Sequence, residues 1–182
     1  MLYKSTRGNI EKVPFKDVLF SGLAPDGGLY IPEKLPELEL LNINKLREKT
    51  YDEVAKLILK PFVGNFFNDD QFNEIVKKAY VKFKTPNRCE LVNLSDNHIL
   101  LELFHGPTYA FKDFAMQMIA QMFQEALVKI KKSINIIVAT SGDTGAAAVN
   151  AFKNLEYINL YVLYPNNRVS DIQRLQMTTV DA

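Results

Sequence analysis

Two short stretches hold residues whose types and spacing could do chemistry. The first, LELFHGPTYAFKDFA at 101–115, sets Lys112 among aromatic residues where a helical pattern begins. The positive end of a helix dipole disfavours a cation by roughly 0.3–1 kcal/mol. Packing against Phe111, Phe114 and Met116 would add a desolvation cost to the charged form. Both effects favour the neutral amine, which can condense with an aldehyde and then act as a base. The plainer alternative is a lysine whose stem packs while its head reaches water.

The second stretch is ATSGDTG at 139–145. A strand end that turns through glycines into a helix directs backbone N–H groups to one point, where the dipole favours an anion. Ser141 and Thr144 add hydroxyls, and Gly142 and Gly145 allow close approach to the backbone. Asp143 suits a polyphosphate poorly and a carboxylate or small zwitterion better. An ordinary capped turn without a ligand is the alternative. The chain has neither G-x-x-x-x-G-K-[ST] nor G-x-G-x-x-G, so neither common nucleotide fingerprint is supported. An amine and an anion pocket at one sheet edge would serve chemistry on a small carboxylate through a carbonyl cofactor.

Other candidates are weaker. His98, His105 and Cys89 lack ligand spacing, so no metal is expected. His98 reads as structural, and His105, beside Gly106 and Pro107, as a hydrogen-bonding residue of its own turn. Asp69 and Asp70 read as acids at a helix start.

The elements that must position these residues follow from periodicity. FSGLAPDGGLYIP at 20–32 holds a Pro-Asp-Gly-Gly tight loop. Leu46, Val54, Leu57 and Ile58 could share a helix face that Pro61 ends. Phe72, Ile75, Val76 and Ala79 recur at helical spacing after Asn68. The pattern stops at Thr85, Pro86 and Asn87, which sets a boundary between a mixed domain, 1–87, and a second region, 88–182. There, 98–104 reads as a short buried strand and Thr108 as the N-cap of a long amphipathic helix. That helix carries Phe111, Phe114, Ala115, Met118, Ile119, Met122, Phe123, Ala126, Leu127 and Ile130, with Lys129, Lys131 and Lys132 at its end. Strands at 134–140 and 158–164 and helices after SGDTG and over 169–177 complete the pattern. Strands alternating with helices imply parallel strands and an open α/β sheet.

Hydrophobic residues make up 47% of the 182 residues, enough for a sizeable core. The 22 basic and 21 acidic side chains leave +1, so no charge field points to nucleic acid or an acidic membrane. The single cysteine fits a reducing compartment. No apolar run is long enough to span a bilayer, and MLYKSTRGNIEK is not an apolar secretory segment, so a cytoplasmic location is expected.

Five blocks in order, KSTRG (4–8), GLAPDGGLYIPE (22–33), LELFHGPTYAFKDFA (101–115), ATSGDTGAAA (139–148) and LYPNNRVSDIQRLQMTT (163–179), resemble the threonine synthases. The resemblance implies a fold type II pyridoxal-phosphate enzyme, a carbon–oxygen lyase with an open parallel three-layer sheet behind a smaller mixed domain. It implies that Lys112 forms the Schiff base with pyridoxal phosphate and that Asp143 lies near the pyridoxal ring oxygen. It also implies that Ser141, Gly142, Asp143, Thr144 and Gly145 hold the substrate carboxylate. The implied reaction turns O-phospho-L-homoserine and water into L-threonine and phosphate, the last step of threonine biosynthesis. Self-association is compatible with this reading. Family members are considerably longer, and their cofactor-phosphate loop lies further along, so the chain resembles an N-terminal portion that is inactive alone. A related pyridoxal-phosphate lyase such as a threonine dehydratase, or a catalytically silent binding fragment, is the alternative.

Overall fold

A computed structural model describes residues 1–36 and 46–180. The chain divides into two units, Met1–Glu74 and Ile75–Ala182.

In the first unit, β1 (Leu2–Ser5) is the middle strand of an antiparallel sheet, between β2 (Val13–Pro14) and β3 (Tyr30–Pro32). Its period-two pattern buries Tyr3 and Ser5 and exposes Leu2 and Lys4. Helix α1 (Phe15–Ser21) follows β2 directly. The expected tight loop is present: Gly27 N–H donates to Ala24 O at 2.8 Å, with Gly27 at φ +76°. Asp26 ties this loop to β1 by accepting the Ser5 hydroxyl at 2.7 Å and the Gly28 N–H at 3.0 Å. The Ser5 hydroxyl chiefly, with the Gly28 and Asn9 amides, holds Asp26 below the usual carboxylate range.

Helix α2 (Tyr51–Val63) starts at a capping box, in which Thr50 accepts the Glu53 N–H and Glu53 accepts the Thr50 N–H. Leu46 therefore lies ahead of the helix and not on its face. Pro61 does not end it either. The helix runs on to Val63, which is 3% exposed, and stops at Gly64, whose N–H reaches Lys60 O. Burial of Val63 offsets the hydrogen bond that proline removes. Helix α3 (Asp69–Tyr80) opens on a reciprocal pair in which Asn68 accepts the Gln71 N–H and Gln71 accepts the Asn68 N–H. Phe72, Ile75, Val76 and Ala79 are at most 2% exposed, as their spacing predicts. The division between the units falls inside this helix.

The second unit departs from the expected all-parallel pattern. β4 (Glu90–Ser95) and β5 (His98–Glu102) form an antiparallel hairpin. β5 is thus a ribbon strand, not a strand of the parallel sheet, and it is not buried: Ile99 is 65% exposed and Leu101 49%. The signal was the two-residue turn Asp96–Asn97, which forces the chain straight back. Helix α4 (Asp113–Ile130) leads to β6 (Ile134–Ala139), α5 (Asp143–Phe152), β7 (Ile158–Leu163) and α6 (Asp171–Thr178). β6 and β7 pair in parallel from Ile134↔Ile158 to Ala139↔Leu163, so β6–α5–β7 is one crossover unit. Ala120 of α4 and Ala148, Ala151 and Phe152 of α5 form a buried cluster, against which Ile136, Val138, Ile158 and Leu160 pack. Small side chains let the two helices lie close over the strands.

Candidate active site

The segment before α4 is shaped by its own aspartate. Asp113 is fully buried and turns back to accept the Thr108 hydroxyl and the Thr108 N–H, each at 2.8 Å. Burial raises its carboxyl above the usual range, against the lowering effect of the Thr108 hydrogen bonds. Thr108 is therefore not an N-cap. It belongs to a turn, and the helix starts five residues later because the Thr108 donors are committed to Asp113. Gly106 is needed there, since a Cβ would lie 2.4 Å from Asp113 Oδ2.

This turn delivers Lys112 to the position just before α4. Its Nζ lies 3.9 Å from Asp143 Oδ2 and 4.5 Å from the centroid of the Phe111 ring. The lysine side chain is 29% exposed, so the expected burial is found only in part. The reason is the direction of its neighbours. Phe111 is 61% exposed, and Phe114 packs on Phe83 at 4.7 Å.

The second stretch follows β6. Thr140 Oγ1 accepts the N–H groups of Gly142 and Gly145, both at 3.0 Å. Two of the amides expected to face a ligand are thus occupied. Asp143 and Thr144 keep first-turn N–H groups with no acceptor among the described residues. Ser141 and Asp143 are exposed, whereas Gly142 and Gly145 are buried. Gly145 is close-packed: a Cβ there would meet Met177 Sδ at 2.5 Å.

Of the sequence candidates, the structure brings together Lys112 and the 141–145 loop. It does not bring in the histidines: His105 Nε2 lies 2.7 Å from Glu102 Oε2, and His98 Nδ1 lies 2.8 Å from Ser95 Oγ. Sequence reasoning missed Asp113, Thr140, Gln173 and Gln176. The spacing Ser170-x-x-Gln173 does announce a capping box, which the structure contains. It gives no hint that the same glutamine also donates to Asp143 at 2.6 Å.

Comparison with known proteins bears on the family. Residues 2–80 match the family described as "Threonine synthase N terminus". Threonine synthase of Pseudomonas aeruginosa is 42% identical over 180 residues, covering 99% of this chain and 38% of that protein. The structure of PLP-bound threonine synthase from Brucella melitensis superposes with a TM-score of 0.92 at 45% identity, covering 98% of this chain and 38% of that one. Over nearly its whole length the chain matches the N-terminal portion of threonine synthases. Yeast threonine synthase agrees, with a TM-score of 0.89 at 34% identity over 98% of this chain and 38% of that one. Threonine synthase-like 2 of Mus musculus is 41% identical over 181 residues, covering 99% of this chain and 38% of that protein. The chain thus spans 38% of the length of these threonine synthase relatives and corresponds to their N-terminal portion.

Proposed function

We propose that the complete polypeptide carrying this chain is a cytoplasmic, pyridoxal-phosphate-dependent threonine synthase. Its reaction converts O-phospho-L-homoserine and water into L-threonine and phosphate. In this reading residues 1–87 form the N-terminal domain and 88–182 begin the catalytic region. The observation that carries it is the meeting of Lys112 with the helix-start loop at Asp143, 3.9 Å apart. The residues present fit the cofactor's carbonyl end: a partly exposed amine, an aromatic face beside it and first-turn amides with no acceptor among the described residues.

When bound, pyridoxal phosphate supplies an electron sink for charge at the substrate carbons. The rest of the chemistry falls to side chains. Lys112 would hold the cofactor at its carbonyl end, and its amine would take up and return protons at the α and β carbons of the substrate. Asp143 and the Phe111 ring keep the amine oriented between these roles. The Ser141 hydroxyl and the Asp143 and Thr144 amides receive the substrate carboxylate at the positive end of α5, within the loop formed with Gly142 and Gly145.

The curated threonine synthase and the synthase-like relative differ by one point in identity, 42% against 41%, so similarity does not choose between them. An assay does. The complete polypeptide should form L-threonine and release phosphate from O-phosphohomoserine. Lys112→Ala should lower the rate by about 10³-fold or more while the fold is kept. A 2-oxo acid product instead would identify a dehydratase, and threonine formation by the alanine variant would remove Lys112 from its role.

A further inference from the structure

Gln173 makes three separate contacts with groups of defined purpose. Its Oε1 accepts the Ser170 hydroxyl at 3.0 Å and the Ser170 N–H at 3.3 Å, which fixes the rotation of the side-chain amide. Its Nε2 then donates to Asp143 Oδ1 at 2.6 Å. Its amide carbon fills the space beside Gly142, where a Cβ would lie 2.4 Å away. That glycine, read from sequence as a ligand approach, is thus first a place for Gln173. One helical turn on, Gln176 Nε2 donates to Thr108 O at 3.2 Å, so the same helix also touches the turn that carries Lys112.

Asp143 has one oxygen held by a hydrogen bond and the other in a loose ion pair. Oδ1 is bound to Gln173, and Oδ2 faces the Lys112 amine at 3.9 Å, beyond hydrogen-bond distance. A carboxylate free to rotate would close on an ammonium and hold it. We propose that Gln173 is a positioning residue that keeps Asp143 from closing on Lys112, so that the amine stays available for reaction. The importance of an available amine rests on the function proposed above, whereas the restraint itself rests on the contacts alone.

The experiment measures how fast Lys112 is labelled by an amine-reactive reagent at one fixed pH. It uses the complete polypeptide without cofactor and reads each site by mass spectrometry. Gln173→Glu keeps the capping box, because a carboxylate also accepts from Ser170, but it cannot donate to Asp143 and adds a second negative charge near the amine. Labelling of Lys112 should fall about fivefold or more. Gln173→Met removes the donor without adding charge and should fall about two- to threefold. Ile172→Gly weakens α6 on its exposed side, where Ile172 is 72% exposed, and should label at the parent rate.

Unfolding would raise the labelling rate, so a decrease cannot come from a variant that fails to fold. Rates at or above the parent value in both Gln173 variants overturn the proposal, as does an equal decrease in Ile172→Gly. If labelling follows the predicted order while the parent polypeptide forms no threonine, the restraint stands and the proposed reaction falls. In an active enzyme, Gln173→Glu should also lower kcat about tenfold with the helix-capping contacts intact.

Discussion

Helices α4 and α5 both begin with aspartate, and each aspartate follows a turn that contains glycine. The two acids have opposite fates. Asp113 is fully buried and spends both oxygens on Thr108, within its own turn. Asp143 has a side chain 49% exposed and turns outward to Gln173 and Lys112. One acid builds the segment that presents the amine, and the other faces the amine. The difference shows that a first-turn acid has no fixed role: the role depends on whether the preceding turn offers donors of its own. At 106–112 it does, through Thr108. At 140–142 those donors are taken by Thr140 instead, which frees Asp143.

Stability measurements on the complete polypeptide can break this contrast. Asp113→Ala should have the largest effect, about 3 kcal/mol by chemical denaturation, because two buried Thr108 donors lose their acceptor. Gly106→Ala should cost about 2 kcal/mol, since the new methyl group meets the Asp113 carboxylate. Thr140→Val keeps the shape but strands two amides, and about 1–2 kcal/mol is expected. Asp143→Ala should change stability least, by about 0.5 kcal/mol or less, while turnover collapses. A larger stability loss for Asp143→Ala than for Asp113→Ala would reverse the two roles.

Titration sharpens the same contrast. Burial raises the Asp113 carboxyl above the ordinary aspartate value of 3.8, so the folded protein keeps that proton to higher pH than the unfolded chain. Its contribution is full below 3.8 and is lost as pH rises through the raised value. Compared with Asp113→Asn, the parent protein should therefore lose stability across that acidic window. Denaturation at a series of pH values reads this, and a parent that gains stability relative to Asp113→Asn as pH rises would contradict it.

Local periodicity makes much of the architecture legible in the sequence. Phe72, Ile75, Val76 and Ala79 announce α3 because helix burial repeats within a few residues, and the strand-to-helix step at SGDTG is equally local. The two candidate centres, Lys112 and the 141–145 loop, likewise stand out from residue type and local position alone. Partnership was harder to read. The β4–β5 pairing depends on a turn whose effect is to redirect a strand, and an apolar run such as 98–104 does not declare its partner. Thr108 has the composition of a cap, yet its hydroxyl serves Asp113. Lys112 has aromatic neighbours in sequence, but Phe114 turns towards Phe83. Gln173 lies 30 residues from Asp143, and periodicity carries no information about such a contact.

The knot between Gly106, Thr108 and Asp113 has a kinetic consequence. Its contacts close over residues 106–113, a loop so short that the entropy lost on closure is small. Such low-separation contacts form early relative to pairings between distant strands. The amine's platform can therefore be laid down as soon as this stretch of polypeptide exists, and the segments that arrive later meet a lysine already placed.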